Sequence, residues 1–310
     1  PRISNVKIIP LLKYLEGYTY IYIGNYEESI KSFDYFLNSK NEFSDIETLI
    51  QDNYLKLTLC NLKLNRYDAA ENNFELYGKN KVVDRFADEA LYYKSNIELG
   101  PDEKMQIDDQ ISGDTSRLIN AMFYASLYKE LHKNASLKNE AFNADCDYIL
   151  GTAMNKLGRP EVAVKLFNRF LSNSGYNDKT DKTLYLLAKY YGETDKNLAL
   201  SYYRQLVNGF LKSPYWTESF YFLVQYYFNE KKYSEIIKYA EVLKMKMLDE
   251  KTVKSYRFEF DDLLYYFALS YEMNVYYKEA VELYELYKTK FKTGLHIEDI
   301  ELRLKKIKFK

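Results

Sequence analysis

Residues Asp145 to Ser174 read DCDYILGTAMNKLGRPEVAVKLFNRFLSNS. The spacing predicts two helices and a tight turn. In the first, Tyr148, Ile149, Gly151, Thr152 and Met154 set apolar and small residues at helical intervals. In the second, Val162, Ala163, Leu166, Phe167, Phe170 and Leu171 form one apolar stripe at i, i+3, i+4, i+7 and i+8. Between them, Gly158 suits a left-handed helix-ending residue, and Pro160 suits a first turn, where its missing N–H costs nothing. Neither helix can bury its stripe alone, so the unit requires neighbours like itself.

Working outward, the same pattern recurs. Leu15 to Leu37 is a first copy, with Gly17, Tyr20, Gly24, Tyr26, Phe33 and Leu37 at matching offsets, and Asn53 to Tyr77 is a second, turning at Leu64 to Tyr67. The third is degenerate. Ala87 to Leu99 is its first helix, Gly100-Pro101 stops it, and Thr115 to Leu131 is the partner, with Leu118, Met122, Ala125 and Leu131 expected inside. Further copies begin near Asp181, at Ser213-Pro214 and near Phe260. Ile297, Ile300, Leu304 and Ile307 then mark one amphipathic helix without a partner, the form that caps a repeat array. The division expected is repeats over 1–99, a polar insertion over 100–114, repeats over 115–295, and a capping helix with a basic tail over 296–310.

Composition narrows the function. The net charge of −1 gives no electrostatic case for nucleic acid or an anionic membrane. No apolar run is long enough to span a bilayer. The chain opens on Pro1 rather than Met, which leaves room for a leader or anchor ahead of it. The two cysteines, Cys60 and Cys146, read as buried thiols, and the two histidines are too few for most zinc or triad chemistry. No phosphate loop, G-x-S-x-G, H-E-x-x-H or C-x-x-C occurs. The pairs Asp108–Asp109 and Asp261–Asp262 read as solvated faces or helix starts. The expectation is a protein that is not an enzyme and uses no cofactor or metal.

These residues resemble the tetratricopeptide repeat, with its W-x2-L-G-x2-Y first helix and A-x3-F second helix. Leu150-Gly151 and Met154, then Ala163 and Phe167, carry the likeness, and Gly17 with Tyr20, and Phe267-Ala268 with Tyr271, repeat it. The spacing departs from the usual period: Ala163 to Ala199 is 36 residues and Ile236 to Ala280 is 44. The resemblance implies an all-α, right-handed α-solenoid of about seven helix pairs with a C-terminal capping helix. Small residues should let paired backbones approach, with Gly151 near Ala163 and Gly17 near Ser29. In the sixth copy Val224 meets Ile236, so that pair should be wedged wider, or a neighbouring slot, Ala240, must shrink.

In such arrays the first helices line a concave face. One slot there holds Tyr14, Leu55, Tyr92, Tyr148, Leu184, Tyr221 and Tyr265, and three residues earlier stand Leu11, Asp52, Glu89, Asp145, Asp181, Glu218 and Asp262. Two readings stay open. The ladder is a groove for a basic or proline-containing peptide, with Tyr92, Tyr148, Glu218, Tyr221, Phe228, Asp262 and Tyr265 as contacts. Alternatively the acids answer the helix dipole and the tyrosines reflect the family and a codon bias that gives 34 of them. The function expected is a scaffold or adaptor that binds a protein or peptide, the rival being a structural subunit of an oligomer. The junction LKSPYW, Leu211 to Trp216, resembles the P-x-S-P-Y junction of bacterial envelope repeat proteins. It tilts the expected setting to an envelope or motility complex and the location to periplasmic or membrane-associated, with cytoplasmic the alternative.

Overall fold

The computed structural model describes residues 5–39, 46–80, 87–100, 115–132, 140–175 and 177–307. These form helices and connections, with no strand among them. The chain makes two compact units, Pro1–Asn177 and Asp178–Lys310. This division falls between the fourth and fifth pairs, whereas the expected insertion lies within the first unit, its residues 101–114 outside the described residues.

The first unit holds four helix pairs. They are α1 (Asn5–Tyr22) with α2 (Tyr26–Asn38), α3 (Glu47–Lys63) with α4 (Tyr67–Lys79), α5 (Ala87–Leu99) with α6 (Thr115–Leu131), and α7 (Glu140–Lys156) with α8 (Pro160–Ser174). The second unit begins with α9 (Thr180–Thr194) and α10 (Lys196–Gly209). The sixth pair sets α11 (Trp216–Asn229) against a broken helix, α12 (Tyr233–Ile237) and α13 (Ala240–Met247), followed by the short α14 (Glu250–Ser255). The seventh pairs α15 (Arg257–Met273) with α16 (Tyr277–Lys290), and α17 (Ile297–Ile307) packs on α16. Seven pairs and a cap are therefore present among the described residues, and no described helix is long and apolar enough to cross a membrane.

Five turns between paired helices share one geometry. The second residue past each first helix has positive φ: Gly24 (76°), Asn65 (57°), Gly158 (69°), Lys231 (56°) and Val275 (68°). The next N–H, of Asn25, Arg66, Arg159, Lys232 or Tyr276, reaches back to the carbonyl of Tyr20, Asn61, Met154, Tyr227 or Tyr271 at 2.8–2.9 Å. This is the six-to-one bond that satisfies orphan carbonyls at a helix end. Lys231 and Val275 take the left-handed conformation without a glycine, and a β-branched residue there is strained. The fifth pair instead connects through Asp195, extended at φ −145°, whose carboxylate accepts from the N–H of Leu198.

The small slots serve aromatic rings. A Cβ on Gly151 would stand 2.8 Å from the Phe167 ring, and one on Gly17 would stand 2.6 Å from the ring of Phe33. The glycines thus face the aromatic one turn beyond Ala163 and Ser29, and the Ser29 hydroxyl donates to the Gly17 carbonyl at 2.9 Å. In the sixth pair Val224 and Ile236 are both fully buried and Ala240 nearly so. There the second helix breaks at Lys238 and Tyr239, and the Tyr239 ring meets the Phe220 edge at 5.9 Å. The longer spacing to the seventh pair is taken up by α14, whose N-cap Asp249 accepts from Thr252. In α6 the buried stripe is Leu118, Ala121, Ala125 and Tyr128. Met122 packs against the same core half-buried, whereas Leu131, expected inside, is 57% exposed.

Candidate interaction surface

The tyrosine and acid slots meet each other. First helices of successive pairs approach one another within each unit, α3 with α5, α5 with α7, and α11 with α15. At four described positions a slot tyrosine meets the acid of the next first helix within the same unit. In the first unit the Tyr14 hydroxyl donates to Asp52 at 2.5 Å, joined by that of Tyr18, and the Tyr92 hydroxyl donates to Asp145 at 2.7 Å. In the second unit Tyr221 donates to Asp262 and Tyr265 to Asp299, both at 2.7 Å.

The two leucines in the tyrosine slot do not break the series. Beside Leu55, the next residue, Lys56, pairs with Glu89 at 2.7 Å. Beside Leu184, the next residue, Tyr185, donates to Glu218 at 2.6 Å. Each position keeps a donor for the following carboxylate. Burial, and then the bond to a carboxylate, push the Tyr92, Tyr185 and Tyr221 hydroxyls well above the ordinary phenol range, and the same causes push Tyr265 up to about 12. Burial raises a phenol because it penalises the anion, and a neighbouring carboxylate adds repulsion.

The seven expected contact residues separate on these facts. Tyr92 is stacked on Phe142 (4.3 Å, 12°) and only 6% exposed. Tyr148 is 2% exposed and packs on Phe167 and Phe170. Both belong to the core of the first unit, so the expectation that they contact a partner is corrected: these two side chains lie between helices rather than on a groove wall. The other five lie together in the second unit. Glu218, Tyr221 and Phe228 share one side of α11, and Asp262 and Tyr265 one side of α15, all half-buried. Phe228 stacks on Tyr266 at 4.1 Å and Tyr265 on His296 at 4.0 Å.

Asp262 is more occupied than a groove acid should be. One oxygen accepts from Tyr221 and the other lies 2.8 Å from His296 Nε2. Glu218 keeps more of its surface, its side chain 40% exposed, with Lys189 3.9 Å away. Asp261, expected on a solvated face or at a helix start, is buried within α15 and accepts from the Tyr287 hydroxyl and the Leu295 N–H. It pins the loop that leads into α17.

Sequence reasoning stopped the ladder one step early. Asp299 of α17 fills an eighth position in the series and is its seventh acid, and it binds both Tyr265 and Arg303. Burial alone would raise its carboxyl, but those hydrogen bonds outweigh burial and hold it below the usual carboxylate range. Its signal was present: Phe291 precedes Asp299 by the same interval that Phe210 precedes Glu218. His296 then occupies the place of Tyr215, which stacks on Tyr185 at 4.7 Å as His296 stacks on Tyr265. The capping helix thus keeps the register of a first helix, with Glu298, Glu301, Lys305 and Lys306 turned to solvent. Cys60 and Cys146 are buried thiols outside any disulfide, and burial pushes the Cys60 thiol up to about 11, out of the nucleophilic range.

No family model and no curated protein matches the chain. Among solved structures it is similar to a thermophilic TPR protein of Thermus thermophilus, 15% identical over 66% of this chain and 93% of that one, with a TM-score of 0.44. It is also similar to the TPR domain of P58(IPK), 15% identical over 96% of this chain and 88% of that one, with a TM-score of 0.30. Independently of these likenesses, the paired helices, shared turns and small-to-aromatic packing slots make the described chain an all-α array of repeated helix pairs.

Proposed function

We propose that this chain is a non-catalytic scaffold that holds an extended segment of a partner protein along the first-helix face of its second unit. The observation that carries the reading is the locked, half-exposed aromatic stripe of Tyr221, Phe228, Tyr265 and Tyr266. Each ring is fixed by a hydrogen bond or a stack within the chain, so little conformational entropy remains to be lost on binding. Tyrosine and phenylalanine rings supply large, stiff contact area. Glu218, its side chain 40% exposed, favours a segment carrying a basic residue, and proline-containing segments suit aromatic walls. The envelope or motility setting, and a periplasmic or membrane-associated location, rest on the LKSPYW junction alone.

The test is affinity capture from the native host, comparing wild type with Tyr221→Ala/Tyr265→Ala and with Tyr221→Phe/Tyr265→Phe. The phenylalanine pair keeps the rings and removes the rungs. Capture lost in the alanine pair and kept in the phenylalanine pair supports the reading. Capture unchanged in both moves the site off this face.

A structural-subunit reading has its own observation. On α1 and just after it, Leu12, Leu15, Tyr22 and Ile23 are 57%, 59%, 92% and 63% exposed, an apolar surface larger than chance exposure of single residues. The mass of the protein in solution separates the two: a monomer at micromolar concentration removes the oligomer reading.

A further inference from the structure

Three described glycines sit inside first helices, and two are explained by the rings they admit. Gly192, in the last turn of α9, is not. A Cβ built on it meets nothing within 4 Å, and its backbone is not in the left-handed region that ends a helix with glycine. A helical glycine is less favourable than alanine by roughly 0.5–1 kcal/mol. Nothing in the packing of the chain offsets that cost.

Gly192 stands on the wall of a cleft of about 350 Å³ formed by α9, α10 and α11. The volume falls within the range of ligand sites, roughly 300–1,000 Å³. Tyr203 and Phe222 line it as two rings 5.8 Å apart and 20° from parallel. Phe222 is 39% exposed, a large aromatic left in contact with water. The rim carries the carboxamides of Gln225 and Asn229, one turn apart on α11. It also carries Glu193 and Lys196, neither of them in an ion pair among the described residues, while Lys189 is drawn toward Glu218. The rim charges balance, which favours a neutral occupant. Flat ring walls favour a flat one, because aromatic pairs gain from offset stacking.

We propose that this cleft receives one aromatic side chain of the partner's extended segment, with Gln225 and Asn229 reading the peptide groups beside it. The inference rests on the scaffold reading above and adds a specificity pocket to it. The cleft is continuous with the aromatic stripe, since the Gln225 carboxamide donates to the Tyr221 hydroxyl at 3.4 Å. Carboxamides carry both a donor and an acceptor and match a peptide unit. The missing side chain at Gly192 is the space the ring occupies.

A random-peptide library displayed on phage is selected against the full chain and against Gly192→Trp. The tryptophan fills the cleft from a position where its Cβ clashes with nothing. Thermal melting of the variant checks its fold. Wild type should enrich peptides that share an aromatic residue at one position. A synthetic member should lose about tenfold or more in affinity on Gly192→Trp, and as much when its aromatic is replaced by alanine, the loss of one buried anchor. The peptide substitution needs no change in the protein, so it decides the matter even if the variant is destabilised. Peptides without a shared aromatic, or binding indifferent to Gly192→Trp but lost in Tyr221→Ala/Tyr265→Ala, overturn the cleft and leave the scaffold reading standing. No enrichment on wild type overturns both.

Discussion

Two Gly→Ala substitutions in the same kind of helix should shift stability in opposite directions. At Gly151 the new Cβ would lie 2.8 Å from both Cδ1 and Cε1 of Phe167. That ring cannot simply retreat, because it is 2% exposed and packs against Tyr148 at 6.1 Å. The helix gains about 0.5–1 kcal/mol from losing a glycine, while overpacking a core costs about 1–3 kcal/mol. The net expectation for Gly151→Ala is destabilisation of roughly 0–2.5 kcal/mol, and Gly151→Leu should cost more. At Gly192 the helical gain is unopposed, since its Cβ meets nothing. Gly192→Ala should therefore stabilise by about 0.4–1 kcal/mol. The assay is urea unfolding followed by helical ellipticity for wild type, both single variants, Phe167→Leu, and the pair Gly151→Ala/Phe167→Leu. If the clash is with Phe167, the pair is less damaged than the sum of its singles by about 0.5–3 kcal/mol, a coupling typical of residues in contact. A Gly151→Ala variant as stabilised as Gly192→Ala, or a pair that is strictly additive, would refute the packing assigned to this slot.

Other consequences can be checked with the same protein. Val275 is strained at φ 68° and 66% exposed, so Val275→Gly should raise the unfolding free energy by up to about 1 kcal/mol, left-handed strain outweighing glycine entropy. The ladder should fail in alkali. A tyrosine raised from its ordinary value near 10 to about 12, as Tyr265 is, favours the folded state fully below about pH 10 and loses that contribution as pH rises through 12. Tyrosinate absorbance and helix loss should thus appear together in that window; full ionisation with helices intact would show the rungs to be dispensable. Asp299 is held low, so its contribution is present above the ordinary carboxylate range and lost as pH falls below about 4, where α17 should release first. Deleting residues 296–310 uncovers the surface that Ile300, Leu304 and Ile307 bury, worth about 1.5–3 kcal/mol for each side chain as an upper value. The truncated chain should aggregate or lose helicity, and an equally soluble, equally stable product would mean that α17 is no cap.

The legible part of the fold was the local part. Gly158 and Pro160 placed the fourth turn, and Leu64 to Tyr67 the second, because glycine, asparagine and proline carry their own conformational preferences. Lys231 and Val275 carry no such signal. They adopt the same turn because the paired helices on either side require it, and a requirement set by neighbours leaves no trace in the residue itself. The break between α12 and α13 was half legible: Val224 opposite Ile236 warned that two large side chains share a slot meant for small ones, but not that the helix would yield.

The sequence by itself determined that this chain is a row of helix pairs, and that tyrosines and acids recur in fixed slots of the first helices. Helical period and slot spacing are properties of one pair, and one pair fits within some thirty consecutive residues. What those slots face is decided between pairs. Only the tertiary structure shows that Tyr221 reaches Asp262, and Tyr265 reaches Asp299, so that much of a ladder read as an open groove is a set of cross-links between neighbouring helices. Likewise only the structure sets Tyr203 of α10 beside Phe222 of α11 and leaves the space beside Gly192 empty. A helix fixes which residues share its face; the registration of one helix on the next, set by packing over the whole core, fixes what that face touches.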